Sequence, residues 1–210
     1  MCICLSQLKQ QFDINRKITY DIQIQKNNDL FEHSFTLIES FSPSTNKRIE
    51  INSSPIRKFL EIECQLSVKH DLSYLCTQLT LDASKVVIQP DDFFLESNFQ
   101  LNDFFGRNID EDSHRIKSET FDTFTILSTP KSTQGRYGLI TWIIDKTTFL
   151  PRSLTFYDKN MNLIKTLIIR KTKQIDSDHI PSQLIMISSK SNFRTVIDLI
   201  DYMPLITPTQ

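Results

Sequence analysis

The residues of this chain whose types could do chemistry are four cysteines, four histidines and a few acidic runs. None of them is spaced for a reaction. Cys2-Ile3-Cys4 is too short for a metal site, and no other Cys or His clusters near it. Cys64 and Cys76 could face one another across neighbouring strands or stand as two free buried thiols; spacing leaves both readings open. His33, His70, His114 and His179 stand far apart, so no ligand pair is in view. His33 falls on an apolar face, where a satisfied, partly buried imidazole is the expectation. Asp91-Asp92 are sequence neighbours, which seldom converge as an acid/base pair. Asp110-Glu111-Asp112 reads as a solvated acidic turn, since a cation site would need more oxygen ligands held in a loop. No G-x-S-x-G elbow, H-E-x-x-H, C-x-x-C or Walker loop is present. Gly106, Gly135 and Gly138 are the only glycines, which argues against a phosphate-cradling loop. The expectation is a protein that is not an enzyme, with no cofactor and no metal.

Charge and composition narrow the class further. The 210 residues carry a net charge of −1 with both signs spread along the chain. Without a basic stripe, nucleic-acid binding has no electrostatic support. A hydrophobic content of 39% can build a core. No stretch approaches the ~20 apolar residues of a membrane-spanning helix. Met1–Leu5 is apolar, but Gln7, Lys9, Gln10 and Gln11 interrupt it before the h-region of a signal peptide forms. No repeat and no Pro/Gly/Ser-rich linker divides the chain, so residues 1–210 read as one domain.

The elements that would position a site are strands. From Leu139 to Asp201 there are five apolar runs of strand length: Leu139–Ile144, Arg152–Tyr157, Leu163–Arg170, Ile180–Ser188 and Arg194–Leu199. The gaps between them are short and filled by Asp, Lys, Asn and Ser. That pattern is an up-and-down antiparallel meander, because the connections are too short for crossover helices. Several of these strands are apolar on both faces: Leu163, Leu167 and Ile169 against Ile164 and Ile168, and Ile180, Leu184 and Met186 against Ile185 and Ile187. Such strands must be covered on both sides or line a cavity.

The first half alternates more cleanly. Ile18, Tyr20, Ile22 and Ile24 share one face of a strand over Lys17–Gln25. Asn27-Asn28-Asp29 turns it into a second strand with Phe31, His33, Phe35, Leu37 and Phe41 on one side. Further strands follow over Arg48–Asn52, Arg57–Val68, Tyr74–Leu81 and Lys85–Gln89, then over His114–Lys117 and Phe121–Leu127. Pro130 to Gly138 reads as a polar loop. Cys2–Phe12 has the spacing of a short amphipathic helix with Leu5, Leu8 and Phe12 on one face. Asp91–Gly106 breaks the alternation: Phe94, Leu95, Phe99, Leu101, Phe104 and Phe105 fit one or two short helices ended by Gly106. These rings either pack as core under a loop or line an apolar ligand cavity.

The meander resembles the C-terminal half of the bacterial outer-membrane lipoprotein-sorting family. The matching residues are Trp142, Asp145, Pro151, Tyr157-Asp158, Lys165, Ile175-Asp176, Pro181, Met186 and Arg194-Thr195. The family pattern runs from a W-hydrophobic-D strand end through a strand-opening Pro to Y-D-x-x-G and a Lys four residues on. An I-D-G turn, a Pro, a Met-bearing strand and a K/R-T pair follow. Ser97-Asn98-Phe99-Gln100-Leu101-Asn102-Asp103-Phe104 is similar to the family's S-D-F-S-x-x-D-L segment. The chain departs from the pattern at Met161 and Ser177, where the family has glycine, so Asn160 or Asn162, and Asp176 or Asp178, are expected to carry the turn conformation. Trp142 and Asp145 stand one residue further apart than in the pattern, which predicts a bulge.

The resemblance implies an α+β fold: a strongly curved antiparallel sheet, a half or incomplete β-barrel, with a few short helices covering the concave side. It implies a periplasmic, non-catalytic protein that holds lipid or lipoprotein acyl chains, with an inner-membrane transporter and an outer-membrane acceptor as partners. The candidate lining residues are Phe94, Phe99, Phe104, Trp142, Phe156, Leu167 and Met186. Each buried methylene of a cargo chain adds roughly 0.8 kcal/mol, so an acyl chain needs no polar anchor for useful affinity. The alternative is an envelope interaction or scaffold protein of the same fold without lipid cargo.

Overall fold

A computed structural model describes residues 16–41, 47–54, 60–67, 73–79, 85–88, 93, 97–100, 103, 112–131, 135–175 and 178–204; between Leu37 and Ile88 the description is of backbone. Thirteen strands form the order β1 (Arg16–Lys26), β2 (Asp29–Phe41), β3 (Lys47–Ser54), β4 (Leu60–Ser67), β5 (Ser73–Leu79), β6 (Lys85–Ile88), β7 (Asp112–Glu119), β8 (Thr123–Pro130), β9 (Leu139–Asp145), β10 (Pro151–Tyr157), β11 (Leu163–Ile175), β12 (Asp178–Ser188) and β13 (Phe193–Pro204). They make one sheet, in the order β6-β5-β4-β3-β2-β1-β13-β12-β11-β10-β9-β8-β7. Neighbouring strands are antiparallel throughout.

Two meanders are therefore joined back to back by β1 and β13, the first and last strands, at the centre of the sheet. β6 and β7 form its two outer edges, so the sheet is open rather than closed into a barrel. This order has a consequence for the connection between β6 and β7. It must carry the chain from one edge of the sheet to the other, and its described residues lie across one face.

Register explains which face is apolar. Residues directly opposite one another share a face, and side chains alternate along each strand. Ile22 stands opposite Ile197, Ile197 opposite Leu184, Met186 opposite Leu167, Leu167 opposite Leu154, Leu154 opposite Trp142, and Trp142 opposite Ile126. One row of apolar side chains thus runs from β1 through β13 to β8. Ile18, Tyr20, Ile22, Ile24, Phe99, Tyr137, Ile140, Leu154, Phe156, Leu167, Met186 and Ile197 form the main core on this face. The opposite face is mixed. Ile185 and Leu127 are buried there, while Ile143 and Ile187 stand partly in solvent. The doubly apolar strands are buried at Leu167 and Met186 on one side and less evenly on the other.

The meander boundaries agree with the sequence reading to within a few residues. Several local expectations need correction. Phe121 does not begin a strand: it sits at the β7–β8 turn, wholly exposed, and β8 starts at Thr123. Asp112 is not solvated; it opens β7 and is buried. The polar loop before β9 holds a buried residue, Tyr137. Ser97–Gln100 is not helical: it is bent, with Gln100 bridged to Phe93, because Ser97 and Asp103 side chains take its backbone amides. Asp103 alone has helical conformation among the described residues of 91–106. The segment Cys2–Phe12 lies outside the described residues. The bulge expected between Trp142 and Asp145 is not seen; the β9–β10 register slips instead between Pro151 and Ser153, with the extra residue on β10. Finally, Met161 itself takes the left-handed conformation where the family carries glycine (φ 62°), rather than Asn160 or Asn162. Asp158 makes this possible by accepting from the Asn160 and Asn162 amides at 2.9 and 2.8 Å, closing the turn around it. The Ile175–Ser177 turn lies in part outside the described residues.

Cys64 and Cys76 are direct register partners on β4 and β5. His33 is the register partner of Ile22.

Candidate functional site

Of the candidate lining residues, Phe99, Phe156, Leu167 and Met186 belong to the main core, and Trp142 packs against it. Phe94 and Phe104 lie outside the described residues. Alternation places Leu167, Met186, Trp142 and Phe156 on one face of four successive strands. Phe99 reaches them from the β6–β7 connection, whose described residues, 97–100 and 103, form a strap over β11–β13. Its ring is fully buried.

The strap is fastened by polar groups. The Asn98 side-chain amide donates to Met186 O at 3.2 Å, Ser188 Oγ at 3.1 Å and Phe193 O at 3.0 Å, so it ties β12 to β13. Its backbone amide donates to Thr195 Oγ1 at 3.4 Å. Asn98 Oδ1, by contrast, is buried without a hydrogen-bond partner among the described residues.

A buried charge sits beside this clamp. Lys165 shares its face of β11 with Leu167, and its ammonium forms an ion pair with Asp103 of the strap. It also donates to Asn98 O at 3.3 Å and to Gln100 Oε1 at 3.4 Å. Tyr137 donates to Gln100 Oε1 and lies within 3.2 Å of Asp103 Oδ1. The rings of Tyr137 and Phe156 pack 4.9 Å apart, and Lys165 Nζ lies 5.4 Å from each centroid. Aromatic faces are a favourable surround for an ammonium taken out of water. Lys165 and Asp103 belong to the two segments that carry the family resemblance, yet neither is among the apolar lining residues expected from the sequence. A signal was available: a lysine two residues from Leu167 on an apolar strand face must either reach solvent or find a buried anion.

A second polar cluster lies at the β9–β10 turn. Asp145 accepts from the Thr147 and Thr148 amides at 2.8 and 2.9 Å and from Arg152 at 2.6 and 3.0 Å. The Thr148 amide, helped by Arg152, holds this carboxyl down at about 2. Arg152 also reaches Asp122 at 2.8 Å and lowers its carboxyl as well. The turn needs this support because Phe149 is left-handed (φ 56°) and packs its ring against Ile126 and Ile144. Its groups are tied to one another and to backbone, which makes it a structural brace.

Among the described residues no group of three or more His, Cys, Asp or Glu is placed to hold a metal ion. No helix there is long and apolar enough to cross a membrane.

This open antiparallel sheet has the same overall fold as several solved structures. The chain is similar in structure to a DUF1329 family protein from Desulfovibrio piger, with a TM-score of 0.87, 16% identity and coverage of 99% of this chain and 92% of that one. It is similar to a domain described as outer membrane lipoprotein-sorting from Vibrio parahaemolyticus, with a TM-score of 0.84, 16% identity and coverage of 98% and 92%. A LolA superfamily protein from Nitrosomonas europaea matches with a TM-score of 0.72, 14% identity and coverage of 93% and 88%. A family model whose description reads "Uncharacterized protein" matches residues 84–204, more than half of the chain, and the chain belongs to that family. No protein of curated function matches the sequence.

Proposed function

We propose that the protein is a non-catalytic carrier that holds the acyl chains of a lipid or lipoprotein against the apolar face of its open sheet. The observation that carries this reading is the continuous apolar row from Ile22 to Ile126 over seven strands, covered among the described residues by a strap. A cargo chain would lie between Phe99 on the strap and Trp142, Phe156, Leu167 and Met186 on the sheet, with Phe94 and Phe104 as further lining. Binding would be differential burial with no covalent step. The name of the Vibrio parahaemolyticus neighbour supports this reading and, with it, a periplasmic site of action. An inner-membrane transporter and an outer-membrane acceptor would then load and unload the cargo, with residues 1–210 working as one domain.

One observation favours a second reading. Phe99, Met186 and Ile197 are each 0% exposed, so the centre of the face is already filled. A scaffold or interaction protein of the same fold would need nothing more. A carrier must lift or shift the strap.

Native mass spectrometry of protein purified from its own host, followed by solvent extraction, separates the two. A stoichiometric co-purifying lipid or acylated peptide is expected. A bare polypeptide mass, with no uptake of added lipids, would sink the carrier reading and leave the scaffold.

A further inference from the structure

We infer that the strap residues Ser97–Gln100 and Asp103 are an internal stand-in for an amphiphile with an acidic head, and that Lys165 is the sheet's anchor for that head. The inference rests on the carrier reading and names the class of cargo. Phe99 fills the apolar core, and four residues on Asp103 sets a carboxylate on Lys165. A long-chain acid presents the same two features: hydrocarbon, then a compact anion.

The division of partners fits an exchange. Lys165 and Tyr137, which donate, belong to the sheet and its flank. Asn98 O, Gln100 Oε1 and Asp103, which accept, belong to the strap. With the strap withdrawn, the ammonium and hydroxyl remain beside one another over the Phe156 ring, a donor pair for one incoming carboxylate or phosphate. A lysine kept for packing alone would be better replaced by hydrocarbon, because a buried ion pair rarely repays its desolvation. The strap is also imperfectly seated. Asn98 Oδ1 is buried with no partner among the described residues, as is Trp142 Nε1 on the facing strand. Among the described residues its backbone meets the sheet through side chains, the Asn98 amide on Thr195 Oγ1 and Asn98 O under Lys165, besides the isolated bridge of Gln100 to Phe93.

The test uses the sole tryptophan, Trp142, which packs against the same core, as the reporter. The full chain is titrated with palmitate, hexadecanol and acetate, and fluorescence gives the three dissociation constants. Palmitate should bind at least about tenfold more tightly than hexadecanol, and acetate should not bind. Asp103→Asn should raise palmitate affinity by removing the internal competitor. Lys165→Met combined with Asp103→Asn removes both charges of this pair, and there the acid and the alcohol should bind alike. Equal binding of the two ligands by the unmodified chain, or an acid preference that survives in the double variant, overturns the anchor while leaving a carrier intact. Acetate binding as tight as that of palmitate also overturns it, since the site would then recognise an anion without a chain. If neither long-chain ligand binds, the anchor falls. The carrier falls with it only if the purified protein also shows a bare mass.

Discussion

Lys165 and Asp103 form an ion pair whose side chains retain 4% and 2% of their exposure. The pair joins β11 to the strap and so brings together the two sequence segments that resemble the lipoprotein-sorting pattern. Removing one partner strands the other charge in a dry site. Lys165→Met alone should therefore cost about 3–5 kcal/mol of stability, and adding Asp103→Leu should restore most of it. Urea unfolding of the two variants decides. Equal losses in both would show that the pair is solvated and that the strap is held by other contacts.

Gly138 donates its amide to Tyr157 O at 2.9 Å and lies against the β10–β11 turn. A Cβ there would stand 2.6 Å from Asp158 O and 2.7 Å from the Lys159 Cα, both backbone atoms that cannot swing aside. Gly138→Ala should destabilise by about 1–3 kcal/mol, whereas Gly135→Ala, with open space around it, should be near neutral. Thermal melts of the two variants would expose an error in this placement if they shifted alike.

Met161 is left-handed and 57% exposed, so it bears conformational strain and contributes little packing. Met161→Gly should stabilise the protein by about 0.5–1 kcal/mol, the relief of left-handed strain outweighing the added freedom of the unfolded chain. A lower denaturation midpoint would mean that the Met161 side chain makes contacts worth more than its strain.

Asp145 has its carboxyl held at about 2, below its usual value of 3.8. The sign follows from linkage: its contribution is complete above the unfolded value and is lost as the pH falls towards the folded one. Screening at a turn keeps that contribution on the order of 1 kcal/mol. Asp145→Asn should lower stability near neutral pH and flatten the acid limb of the stability profile between about pH 4 and about pH 2. Urea midpoints measured across that range test it, and a variant profile parallel to the original would reject the assignment.

Much of the fold was legible because strand signals are local. The alternation of Ile18, Tyr20, Ile22 and Ile24, and the spacing of the five meander runs, follow from the two-residue period of a strand and the chemistry of short turns. The faces assigned to Leu167 and Met186 came from the same rule, and the two meet in one row, which the register extends to Trp142. What periodicity could not reveal is which strands become neighbours across long separations. The pairing of β1 with β13 places both ends of the sheet's sequence at its centre and its two outer edges at β6 and β7. The described residues of the intervening chain, 97–100 and 103, pack on the apolar face. The strap therefore reads as a helix in sequence, from its phenylalanines, yet is bent in the structure, because Ser97, Asn98 and Asp103 bind backbone and strands instead of one another. Lys165 and Asp103 lie 62 residues apart. The sequence by itself determined the strands, their apolar faces and the absence of a recognisable catalytic motif, all properties of residues close along the chain. Only the tertiary structure decided that a buried charge would sit in that apolar face. The cost of burying an ammonium is met by a carboxylate that a different part of the chain delivers.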